Sequence, residues 1–129
     1  WRDIPLQIVY KHKSSEWCFE DLRRFDVEEQ EKYLNSYVES NKARGFQLSE
    51  DTLIRVAIFQ IDEEVHRVIW SFHHILMDGW CLPLILKEWF EQYEVLTGNA
   101  ESKHITVTPY SQYIEWLLAQ DEEEASRYW

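Results

Sequence analysis

The chain has 129 residues, 45% hydrophobic and 29% charged, the composition of an ordinary globular protein with length enough for one core. Its formal net charge of −11, without clustered Lys and Arg, argues against a phosphate-binding footprint and an anionic membrane surface, so neither nucleic acid nor membrane is expected as a partner. Cys18 and Cys81 form no CxxC pair, no signal-peptide pattern opens the chain, and no apolar stretch reaches the roughly 18 residues of a membrane span, which together fit a cytoplasmic protein with reduced thiols. Aromatics are rich at 16%, so large rings are expected to carry much of the packing. Beginning at Trp1 rather than Met and ending within a helical pattern, the sequence reads as a section of something longer.

In chain order, LQIVYKH (6–12) has the β-branched and aromatic content of a strand and runs into a polar break at 13–16. In FDVEEQEKYLNSYVESNKARGF, Asp26 can cap a helix and Glu29 stands at capping-box spacing. Val27, Leu34, Tyr37 and Val38 supply apolar positions and Gly45 a stop, so the spacing predicts a helix over 27–43. TLIRVAIFQIDEEVHRVIWSFHH is two apolar runs joined by acidic residues 62–64, the pattern of an antiparallel hairpin, apolar on both faces and central in its sheet. With the turn centred on Glu63 and Glu64, Arg55 falls opposite Phe72 and next to His73, which places a cation at the histidine end of the hairpin. After Gly79, Leu82, Ile85, Leu86, Trp89, Tyr93 and Leu96 recur at helical spacing, with Pro83 in the first turn and Gly98 near the end. A polar loop at 99–108 then leads to Pro109, which opens a further helix with Tyr113, Trp116, Leu117 and Ala125 on its apolar side. Strand, helix, hairpin, helix, helix is a mixed α/β lobe with helices packed on a sheet.

WSFHHILMDGW (70–80) admits three readings: a catalytic centre, a metal site, or a strand running into a turn. Adjacent strand residues point to opposite faces, so only one of His73 and His74 faces a given cavity. His12, His66 and His104 show no ligand spacing, and no metal is expected. Asp78 before Gly79 is by itself a turn signal. A sharper reading folds Asp78 back onto Arg55 in a bidentate ion pair that fixes the loop and so the imidazole of His74. There is no nucleophile elbow and no glycine-rich phosphate loop, and Cys81 reads as a small core residue. His74 is left as the candidate for chemistry.

His73-His74-Ile75-Leu76-Met77-Asp78-Gly79 matches HHxxxDG, the signature of the chloramphenicol acetyltransferase-like superfamily, and the following Trp80 resembles the condensation domains of nonribosomal peptide synthetases. GFQLSEDTLIRV is similar to the FDLSxGPLxRV segment of that family, LILKEWFEQYE to the helix after the motif, and YSQYIEWLLAQDEEEASRYW to a later YxDYxxW region. Gln47, Asp51, Thr52 and Gln112 depart from the family pattern. The resemblance implies a chloramphenicol acetyltransferase-like α/β lobe, residues 1–129 being a partial N-terminal lobe of a condensation domain. It implies peptide-bond formation between aminoacyl or peptidyl thioesters held on phosphopantetheine arms, with no cofactor bound directly by this chain. Its partners would be donor and acceptor peptidyl carrier proteins, the remainder of the condensation domain and an adjacent adenylation domain. His74 would contact the acceptor amine, either removing a proton or positioning the nucleophile. His73, Asp78 and Arg55 would support the site, and Gly79 would leave room, with a backbone N–H near the reacting carbonyl. An epimerisation domain or a coenzyme A-dependent acyltransferase of the same superfamily is the alternative, as is a non-catalytic interaction module. The isolated lobe is expected to be inactive.

Overall fold

The computed structural model describes residues 8–101 and 107–128. Its sheet has three strands, β1 (Glu16–Asp21), β2 (Ile54–Gln60) and β3 (His66–Phe72), in the order β1-β2-β3. β1 runs parallel to β2, which requires a crossover, and helix α1 (Val27–Arg44) supplies it. β2 and β3 form the expected antiparallel hairpin. Its register is one residue from expectation: Ile54 faces Phe72 and Arg55 faces Ser71, so the turn centres on Glu63 alone. Arg55 nevertheless lies at the histidine end.

The strand expected over 6–12 is a correction. Residues 6 and 7 lie outside the described residues, 8–12 carry no strand, and Ile8, Val9 and Tyr10 are exposed. The first strand lies instead in EWCFED, which begins at Glu16, the last residue of the expected polar break. Alternation explains it: Glu16 and Glu20 stand on the α1 side, where Arg44 and the Tyr33 hydroxyl bond them, while Trp17 and Phe19 occupy the other face.

α1 begins with the full capping box. The Glu29 N–H donates to Asp26 Oδ1 at 2.9 Å and the Asp26 N–H to Glu29 Oε2 at 3.2 Å. At the other end Gly45 adopts φ +60°, a left-handed backbone in which a Cβ would be strained, and its N–H satisfies carbonyls of Asn41 and Lys42. α1 covers the sheet through Leu34, which joins Leu22, Ala57 and Phe59 in the core, with Cys18, Phe25, Tyr37 and Ile69 packed around them. Phe59 is fully buried and meets the rings of Tyr33 and Tyr37 edge to face, with ring centres 6.0 and 5.1 Å apart. Burial of a side chain that size contributes about 2–3 kcal/mol. Gln30 is a polar member of this interior: its amide donates to the carbonyls of Leu22, Phe25 and Ile61, tying α1 to the segments that leave β1 and β2 at the same end of the sheet.

Contacts divide the chain into two units, Trp1–Leu84 and Ile85–Trp129. Helix α2 (Cys81–Leu96) begins in the first, and the second holds most of it together with α3 (Tyr110–Leu118) and α4 (Glu122–Tyr128). α2 ends as the sequence implies: Gly98 takes φ +78° and its N–H bonds the Val95 carbonyl. The helix opening after Pro109 is two helices, not one. The Ala119 N–H closes α3 on Glu115 and Trp116, and the Asp121 carboxylate then accepts the Glu123 N–H at 2.9 Å, capping a new start. Along α3 the rings of Tyr110 and Tyr113 meet at a tilt and those of Tyr113 and Trp116 stack, with centres 5.5 and 5.8 Å apart. No helix among the described residues is long and apolar enough to cross a membrane.

Candidate active site at the end of β3

β3 ends at Phe72, and the next residue is held from several directions. The His73 N–H donates to the Leu53 carbonyl at 3.0 Å, extending the β2–β3 pairing by one step. Its carbonyl accepts the Leu76 N–H at 3.1 Å, closing a β-turn with His74 and Ile75 at the tip. Its Nδ1 accepts the Ile75 N–H at 3.1 Å, which places the ring proton on Nε2. Its ring meets the ring of Phe46 edge to face, centres 6.2 Å apart at 84°. These commitments make His73 an anchor. His74 has left the sheet, is exposed, and among the described residues takes no hydrogen bond on its imidazole. The turn thus gives the two histidines different surroundings, one bonded and half-buried, the other exposed.

Asp78 does not pair with Arg55, contrary to the sharper sequence reading. Its Oδ1 accepts the N–H groups of Trp80 at 3.0 Å and Cys81 at 3.2 Å, so the carboxylate caps the start of α2. Hydrogen bonds from the Cys81 side chain, and then from these backbone groups, hold the carboxyl below its usual range. At Gly79 an added Cβ would meet nothing within 4 Å among the described residues.

Arg55 is spent elsewhere. It alternates with Ala57 and Phe59 on the buried side of β2 and is 2% exposed. That face looks toward the C-terminal end of α1, whose carbonyl-rich terminus favours a cation. There the guanidinium donates to Asn41 Oδ1 at 3.1 Å, to the Gly45 carbonyl and to Asp51 Oδ2 at 3.3 Å. Its Nε makes no hydrogen bond but lies 3.4 Å from Glu16 Oε2, an ion-pair contact. Its Cζ sits 4.0 Å from the centre of the Phe46 ring, a cation–π arrangement. Arg44 joins the cluster by pairing with Glu16, and this hydrogen bond is the main reason that the Glu16 carboxyl is lowered. Asp51 is lowered first by the Gln47 N–H and then by the two arginines. Nearer acceptors on its own face claimed Arg55.

Sequence reasoning missed Phe46, Asn41, Glu16 and Asp51. Two signals were available: an Arg two and four residues before Ala57 and Phe59 shares their face, and Phe46 directly follows the glycine that ends α1. Among the described residues no three His, Cys, Asp or Glu side chains cluster as metal ligands.

A three-stranded mixed sheet with a crossover helix thus ends, after β3, in a turn with a bonded His73 and an exposed His74. The family model for the Condensation domain matches residues 1–129, and the chain belongs to that family. It is 51% identical over its whole length to one of the mycosubtilin synthase subunits of Bacillus subtilis, of which it covers 5%. It is 42% identical over 125 residues to gramicidin S synthase 2 of Brevibacillus brevis, covering 97% of this chain and 3% of that protein. With bacitracin synthase 3 of Bacillus licheniformis it shares 37% over 125 residues, again 97% of this chain and 2% of that protein.

Proposed function

We propose that this chain is part of the N-terminal lobe of a condensation domain that forms peptide bonds in nonribosomal peptide synthesis. The acceptor α-amine attacks the carbonyl of an upstream aminoacyl or peptidyl thioester: the C–N bond forms, the C–S bond breaks, and the amine proton leaves as the phosphopantetheine thiol is released. Both substrates arrive on arms of donor and acceptor carrier proteins, beside an adenylation domain of the same synthetase. A thioester is already activated, so holding the amine in line supplies much of the acceleration. His74 does the holding. The observation that carries this role is the turn at the end of β3, which leaves the His74 imidazole exposed and unbonded while His73 commits its carbonyl and Nδ1 to that turn and its N–H to the Leu53 carbonyl.

The test is His74→Ala in the full synthetase. Peptide formation is abolished or greatly slowed while both carriers still load, and normal turnover would refute the assignment. The loop around His74, with Ile75 and Leu76 exposed beside it, offers one wall of a site. The 129-residue chain alone, mixed with two loaded carriers, therefore forms no peptide. Cys18 and Cys81 are both free thiols, which suits a reducing cytoplasmic setting.

A further inference from the structure

Arg55 and the histidine pair lie at one end of the hairpin, yet no hydrogen bond or ion pair among the described residues joins them. What lies between is Phe46. One face of its ring carries the Arg55 guanidinium 4.0 Å from the ring centre, and the edge contact with His73 spans 6.2 Å at 84°. The guanidinium also bonds the Gly45 carbonyl, so it grips the peptide unit that leads into Phe46 as well as the ring. His73 in turn sets the β-turn through its Nδ1 and carbonyl. All these residues belong to the unit Trp1–Leu84. Glycine at 45, with its φ of +60°, delivers Phe46 off the end of α1 into this place.

We infer that Phe46 is a positioning residue for the condensation reaction, the packing element through which buried Arg55 fixes the His73 ring and thereby aims the His74 imidazole at the acceptor amine. This rests on the proposed role of His74. The aromatic ring is what the position needs: its quadrupole attracts a cation over the face and accepts an edge-to-face partner, and an aliphatic side chain of similar size offers neither. A misplacement of about 1 Å at a reacting group costs as much as ~100-fold in rate.

The experiment is steady-state peptide formation by the full synthetase with loaded donor and acceptor carriers. Phe46→Leu lowers kcat about 10- to 100-fold while the acceptor KM stays within about twofold, because alignment and not binding is lost. Phe46→Tyr, which keeps ring face and edge, recovers most of the rate. In a His73→Asn background, where the amide can still accept the Ile75 N–H but no ring meets position 46, Phe46→Leu costs nothing further. Full activity of a folded Phe46→Leu protein, equal losses for Leu and Tyr, or losses that multiply in the His73→Asn background would each overturn the inference. Should Phe46→Leu not fold, Phe46→Met fills the position without a ring and is read in the same way. His74→Ala in parallel separates the two readings: if it retains normal turnover the proposed function falls, whereas a dead His74→Ala beside an unaffected Phe46→Leu removes only the role of Phe46.

Discussion

Replacement of Arg55 by alanine has a large consequence for folding. The side chain is 2% exposed and donates to Asn41, Gly45 and Asp51 while pairing with Glu16 and capping the Phe46 ring. Breaking a fully buried ion pair costs about 3–5 kcal/mol. Here the anionic partners keep part of their access to water, with side-chain exposures of 21% for Asp51 and 41% for Glu16, and can rehydrate. The cost therefore sits at the low end, about 3 kcal/mol, against a total of roughly 5–15 kcal/mol for a domain. With a urea slope of about 2 kcal/mol per M, the unfolding midpoint falls by about 1.5 M, followed by the fluorescence of the tryptophans. Arg55→Lys recovers only part, because a lysine cannot present the planar fork to Asn41 and Asp51 together. An unchanged midpoint for Arg55→Ala would refute this reasoning. The companion variant Asp78→Ala loses a helix cap and is milder, and the double variant loses the sum of the two. A double variant no less stable than Arg55→Ala alone would instead mean that Arg55 and Asp78 pair.

Gln30→Ala leaves the carbonyls of Leu22, Phe25 and Ile61 without their donor, and urea titration should show a loss of about 2 kcal/mol; a loss within error would mean that water replaces the amide. Asp26→Ala removes the capping box of α1 and costs about 1 kcal/mol in the same assay, with Asp26→Ser nearly neutral. The Asp21 carboxyl, hydrogen-bonded first by the Arg23 side chain and then by its N–H, titrates at about 2 rather than the ordinary 3.8. A depressed folded-state value means that its contribution to stability is present above about 3.8 and fades as pH falls toward 2. Carboxyl NMR of Arg23→Ala should move the Asp21 midpoint up toward the ordinary value, and a midpoint that stays near 2 would contradict the assignment.

Local chemistry made some of this protein legible from its residues. Asp26, Glu29 and Gly45 bounded α1 because capping depends on neighbours within one turn. The hairpin followed from two β-branched runs around an acidic turn, and its register missed by one residue because a turn of acidic residues has no marked centre. The HHxxxDG motif marked the loop after β3, and the resemblance it carries made His74 the candidate for chemistry. The first strand was misplaced since EWCFED owes its strand to β2 alongside and α1 above, which supply partners for its acids.

The sequence by itself determined the class of the fold, the helix that crosses the sheet, and the family whose motif it carries. Only the tertiary structure decided which acceptors Arg55 would meet. A buried guanidinium must satisfy its donors from whatever lies on its own face of the strand, and that face met Asn41, Gly45, Asp51 and the Phe46 ring rather than Asp78. Asp78, close in sequence to the start of α2, found its partners one turn away. Residues distant in sequence met because the crossover of α1 and the pairing of β2 with β3 put them at one corner, and no local pattern encodes that meeting.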